Sequence, residues 1–126
     1  MFTNIKAYSG FSVSDLAEAK KFYGEVLGLD IAEKGPGLMI NIAGSNGVLM
    51  YPKPDHIAAT YTILNFPVAD IGKAVQELKS KGVNPEQYEG LTDDNGIARG
   101  LAQQRGPDIA WFKDPSGNIF SVLKEG

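Results

Sequence analysis

Phe11-Ser12-Val13-Ser14-Asp15-Leu16-Ala17-Glu18-Ala19 returns further along the chain as Phe66-Pro67-Val68-Ala69-Asp70-Ile71-Gly72-Lys73-Ala74. Phe, Val, Asp and Ala recur unchanged, and Leu becomes Ile. Each copy closes an alternating apolar stretch and opens a helical pattern. The Asp stands where a helix N-cap is needed, and Glu18 three residues after Asp15 adds a capping-box-like partner. Two copies of one strand-to-helix unit imply a pseudo-symmetric fold with a cleft between its halves.

Working outward from the first copy, residues 5–13 read as a strand. Leu16, Ala19, Tyr23, Val26 and Leu27 follow at helical spacing with Phe22 beside them, and Gly28 is placed to end the helix. Strands are expected near 29–34, 38–43 and 47–51. Gly44-Ser45-Asn46-Gly47 reads as a tight turn between the last two, its Asn-Gly suited to positive φ. Around the second copy, 61–68 reads as a strand and Ile71, Ala74, Val75 and Leu78 as a buried helical stripe ending at Gly82. A weak strand is expected near 84–88. Residues 89–107 show no periodicity, and a long loop of that kind is either mobile surface or functional. Strands near 108–113 and 118–123 flank the turn Asp114-Pro115-Ser116-Gly117. The order is strand, helix, strand, strand, strand, twice: an α+β fold. Module one spans about 1–52, a linker about 52–60 and module two about 61–126, within one domain of 126 residues.

Composition excludes several classes of function. The 43% hydrophobic and 10% aromatic content is that of a folded protein. A net charge of -3 with no basic stripe argues against nucleic acid and anionic membranes as partners. The chain has no cysteine and one histidine, His56, which removes thiolate chemistry and cysteine-based metal sites. His56, in a linker with two prolines, reads as a solvated residue. Met1-Phe2-Thr3-Asn4-Ile5-Lys6 lacks the apolar run of a secretory leader, so a cytoplasmic location is expected.

Phe-x-Val-x-Asp-Leu-x-x-Ala-x-x-Phe-Tyr at 11–23 with Leu27-Gly28-Leu29, and Phe112-Lys113-Asp114-Pro115-Ser116-Gly117-Asn118, resemble the two halves of the vicinal oxygen chelate superfamily. That group holds glyoxalase I, bleomycin-resistance proteins and extradiol dioxygenases. The resemblance implies two βαβββ modules curling as a half-barrel of mixed sheet around a cavity, and a homodimer. In the enzymes it also implies a divalent metal held by His and Glu, one pair from each module. The first ligand of each module lies seven residues before the capping Asp, at Tyr8 and Ile63 here. The second lies on the last strand, at Ser121 and, by the repeat, Tyr51 (or Met50 if the register slips by one). Phenols, an alkyl chain and a hydroxyl cannot replace imidazole and carboxylate, so no metal and no cofactor is expected.

Strand parity then gives an expected cavity face carrying Lys6, Tyr8, Gly10, Leu49, Tyr51, Tyr61, Ile63, Asn65, Ile119, Ser121 and Leu123. The opposite face carries Phe11, Val13, Val48, Met50, Leu64, Phe66, Val68, Phe120 and Val122 and suits packing under the helices. Trp111, on the neighbouring strand, is placed either to stack on a flat ligand or to fill sheet surface. Arg99 and Arg105, in the glycine-rich loop, are either anion-gripping groups on a lid or solvated surface residues. The expected function is sequestration of a small, flat, partly apolar molecule by Tyr8, Tyr51, Tyr61, Ile63, Asn65, Trp111 and Ser121, with Arg99 and Arg105 as the loop's contribution. The alternative is an enzyme: a metal-independent isomerase or lyase using Tyr8, Tyr51 or Lys6, or less readily a metal-dependent glyoxalase or dioxygenase. A domain serving only a protein partner is a third reading.

Overall fold

The computed structural model describes every residue, Met1–Gly126. The chain folds as two compact units, Met1–Ala58 and Ala59–Gly126, each a βαβββ module. In the first, β1 is Ser9–Val13, α1 Leu16–Lys20, β2 Asp30–Lys34, β3 Gly37–Asn41 and β4 Val48–Pro52. In the second, β5 is Thr62–Pro67, α2 Ile71–Ser80, β6 Ala98–Arg99, β7 Asp108–Lys113 and β8 Ile119–Lys124. The sheets are ordered β1-β4-β3-β2 and β5-β8-β7-β6. Each module's first strand pairs parallel with its last, and the remaining pairs are antiparallel.

Both helices start where the repeat places them. Asp15 and Asp70 are extended N-caps whose carboxylates accept from the N–H groups of Glu18 and Lys73, each at 3.0 Å. Gly28 and Gly82 follow the helix ends at φ 73° and 80°, the left-handed conformation glycine adopts at little cost. The first helix departs from the expected pattern after one turn. Lys21–Val26 is π-helical, with the Leu27 N–H donating to the Phe22 carbonyl at 2.9 Å. The wider turn tucks both Phe22 and Tyr23 into the core, with ring centroids 5.2 Å apart at 89°.

One face of each sheet is the core. In module one, Phe11, Met50 and Leu38 form a buried row across β1, β4 and β3, and Phe11 meets Tyr23 at 5.8 Å. In module two, Leu64, Phe120 and Phe112 form the equivalent row, with Phe112 stacked on Phe120 at 5.4 Å. Helix α2 packs on β7 and β8 and buries Ile71 and Val75.

Four local expectations are corrected. β1 begins at Ser9, so Lys6 and Tyr8 lie before the strand and its alternation does not orient them. In the 44–47 turn the positive φ belongs to Gly44 and Gly47, while the Asn46 amide donates to the Ala7 carbonyl at 3.0 Å. His56 is half-buried and hydrogen-bonded through Nδ1 to the Ser12 hydroxyl at 2.6 Å, so the linker is pinned to β1. Residues 84–88 form no strand: the Glu86 N–H makes a single backbone bond, 2.8 Å, to the Trp111 carbonyl. The turn at Asp114 is as expected, Gly117 N–H donating to the Asp114 carbonyl at 3.0 Å. The buried Asp114 carboxylate also accepts from the N–H groups of Ser116 and Asn118, at 2.8 and 2.9 Å.

Removing one cap tests its contribution. Asp70→Ala is expected to lower unfolding stability by about 1 kcal/mol, with Asp70→Asn restoring most of it. Urea unfolding of the three proteins measures the difference, and equal midpoints would contradict the capping role.

Candidate functional site

The face of the second sheet away from α2 carries an exposed aromatic recess. Its floor is set by register. Asn65, Ser121 and Trp111 form one row across β5, β8 and β7, and Thr62 pairs with Ile119 two positions along β8. A β-bulge lies between Thr62 and Leu64: Thr62 pairs with Ile119 but Leu64 with Phe120. The extra residue is Ile63. A bulge reverses parity locally, so Thr62, not Ile63, shares the recess with Ile119 and Tyr61.

The wall comes from residues 86–92, where the expected weak strand meets the segment without periodicity. The backbone bond from Glu86 to Trp111 lays residues 86–92 beside β7, and Lys113 Nζ reaches Glu86 at 3.3 Å. The Tyr88 carbonyl accepts from the N–H groups of Leu91 and Thr92, each at 3.0 Å, and the Thr92 hydroxyl accepts from the Tyr88 N–H at 2.9 Å. This turn presents Tyr88 edge-on to Trp111, centroids 5.5 Å apart at 81°, a favourable aromatic geometry. The recess encloses about 290 Å³ between Tyr88, Leu91, Trp111, Tyr61 and Ile119, with Thr60 and Thr62 also lining it. No charged side chain lines it. Tyr61 is 70% and Leu91 55% exposed, an apolar surface left open to water.

The other candidates fall elsewhere. Ser121 is fully buried and donates to Asn65 Oδ1 at 2.6 Å, so the two satisfy each other. Arg99, on β6, is held by Asp93 (Nε to Oδ2, 3.1 Å) and by Asp108 (3.6 Å), which ties its charge to the loop's own frame. Arg105 is exposed, beyond a short 3₁₀ turn at Leu101–Gln103. Tyr8 and Tyr51 belong to the first module. Tyr8 is half-exposed with Lys34 Nζ 5.9 Å from its ring, and Tyr51 is exposed on β4, whereas Met50 is fully buried. Tyr88 and Leu91 were missed by periodicity. Their signal is an aromatic and a leucine three apart in an otherwise polar, glycine-rich stretch.

The profile of the Glyoxalase/Bleomycin resistance protein/Dioxygenase superfamily matches residues 7–122. The chain belongs to this superfamily. By sequence, no curated protein matches it. Among solved members of the fold, TnmS3, an antibiotic binding protein from Streptomyces sp. CB03234, aligns with a TM-score of 0.70 at 19% identity, covering 100% of this chain and 99% of that one. The oxidase ChaP-H2 aligns at 0.70 and 17%, covering 98% and 95%. A superfamily member from Sphaerobacter thermophilus DSM 20745 aligns at 0.69 and 19%, covering 99% and 100%. A binding protein and an oxidase on one fold show that the site, not the fold, decides function.

The metal of the superfamily's enzymes does not fit this donor set. Ile63 has no donor atom, Ser121 is already bonded to Asn65, and Tyr8 and Tyr51 offer neutral phenols. No three His, Asp or Glu side chains converge anywhere in the chain.

The loop that carries the recess wall is anchored by Asp93. Partial burial pushes the Asp93 carboxyl up, but hydrogen bonds from Ile97 N–H, Arg99 and Asn95 N–H outweigh it and hold it below the usual carboxylate range. A carboxylate lowered by folding stabilises above its unfolded value, near 3.9, and the contribution is lost as pH falls through the lower folded value. Hydrogen-exchange protection of the Ile97 amide is therefore expected to fall below about pH 4. The dependence should vanish in Asp93→Asn, which keeps an acceptor oxygen without the charge. Protection of Ile97 that is flat with pH in the unaltered protein would contradict this anchor.

Proposed function

We propose that the protein binds a small, flat, uncharged and largely apolar molecule against Trp111, and that this binding is its function. The observation that carries the reading is the Tyr88–Trp111 pair with Leu91, Tyr61 and Ile119 around an uncharged recess. Ligand sites of this kind are concave and apolar with a few polar groups for orientation. Here the hydroxyls of Thr60 and Thr62 suit a carbonyl or ring oxygen at the ligand's edge. Asn65 and Ser121 stand beside Trp111 in the same row of the sheet, and Arg99 holds the loop that carries the wall. The antibiotic binding described for TnmS3 accords with this reading, while the oxidase ChaP-H2 carries the same fold, so the preference for binding rests on the recess itself.

The size of the recess bounds the affinity. A ligand of about 20 heavy atoms at about 0.3 kcal/mol per atom gains about 6 kcal/mol, a dissociation constant in the tens of micromolar. Trp111 is the only tryptophan, so its fluorescence reports the site without labelling. Titration with uncharged planar compounds such as flavone, anthraquinone and 1-naphthol is expected to change that emission saturably. Calorimetry should show binding weakened about tenfold or more in Trp111→Ala and Tyr88→Ala, and largely kept in Trp111→Phe. Absence of saturable binding across the set, or unchanged affinity in a folded Trp111→Ala protein, would overturn the proposal.

A further inference from the structure

The π-helical turn leaves a second recess, confined to the first module. It encloses about 460 Å³ between α1, the turn that continues it and β2, within the range of small-molecule sites. Its floor is apolar: Ala17, Gly24, Leu29 and Ile31. Gly24 keeps it open, since even a Cβ there would stand 3.3 Å from Ile31 Cγ1. β2 is an edge strand of its sheet, so nothing further in the sheet covers this side.

The rim is charged. Lys20, Lys21 and Glu25 line the same recess, and all three are exposed. In an α-helix, residues four apart are neighbours and Lys21 would meet Glu25. Here the turn is wound to bonds five residues apart, and the two charges do not pair. The ion pairs of the chain join Lys53 to Asp55, Arg99 to Asp93 and Asp108, and Lys113 to Glu86. Lys20, Lys21 and Glu25 are in none of them, so the rim holds two lysines against one glutamate, none of them held in an ion pair. π-helical turns of this kind recur at functional sites.

We propose that this recess is a binding site for a small amphipathic anion, its acid group held by Lys20 and Lys21 and its apolar body laid on Leu29, Ile31 and Gly24. It is separate from the Trp111 recess and does not depend on the function assigned there. The two sites differ in chemistry: one is uncharged and aromatic, the other cationic and aliphatic.

Calorimetric titration of the whole chain with decanoate tests the proposal, with decanol as its uncharged counterpart. Decanoate is expected to bind one per chain with a dissociation constant below about 1 mM, and decanol at least tenfold more weakly. The double variant Lys20→Gln, Lys21→Gln alters two exposed side chains and should unfold at the same temperature as the original protein. It is expected to lose at least tenfold in decanoate affinity. Glu25→Gln removes the one opposing charge and should tighten binding about twofold, in keeping with the modest size of exposed charge interactions. No saturable decanoate binding, equal binding of decanol, or unchanged affinity in the double lysine variant would each overturn the assignment.

Discussion

Parallel pairing between the first and last strand of each module is the constraint on which the rest of the structure depends. A parallel pair cannot be closed by a tight turn. The chain must leave the first strand, cross over and return through two more strands before the partner arrives. The helix begun at Asp15 or Asp70 is that crossover. Once β1 lies along β4 and β5 along β8, register follows, and register sorts side chains between the two faces. Phe11, Met50 and Leu38 in one module, and Leu64, Phe120 and Phe112 in the other, become core rows. The opposite face of the second sheet carries Asn65, Ser121 and Trp111.

The capping Asp, the alternation along the strands and the glycines after the helices are local signals, each decided by a few neighbouring residues. They made both βαβββ modules and the core face legible in the sequence. Trp111 lies within β7, on the face that parity assigns away from the helix, whereas Tyr61 precedes β5 and the bulge, where parity no longer orients it. What escaped reading depends on non-local or compensating geometry. The bulge at Ile63 appears only when β5 meets β8, because two residues on one strand must oppose one on the other. The π-helical turn arises where Phe22 and Tyr23 both need burial, which tertiary packing decides. Residues 93–99 have no period because their order comes from Asp93, whose carboxylate gathers the N–H groups of Asn95 and Ile97 and the Arg99 side chain.

These two departures from ideal geometry are also where the molecule differs from a plain pair of repeats. The bulge removes Ile63 from the face where parity would put it and brings Thr62 forward. The π turn separates Lys21 from Glu25 and opens space over Gly24. In both places local irregularity sets the character of a recess: uncharged and aromatic in the second module, cationic and aliphatic in the first. At the positions expected to correspond to the superfamily's metal ligands, Ser121 is engaged with Asn65, and Ile63, Tyr8 and Tyr51 offer no imidazole or carboxylate.

The central claim, that the Trp111 recess receives an uncharged planar ligand, is tested most directly by nuclear magnetic resonance. In a titration of isotope-labelled protein with flavone, the account predicts shifts of the Trp111 indole N–H and of the amides of Tyr61, Thr62, Tyr88, Leu91 and Ile119. Amides of the α2 core, such as Val75, should stay fixed. Shifts that cluster away from these residues, or a spectrum unchanged at saturating flavone, would contradict it.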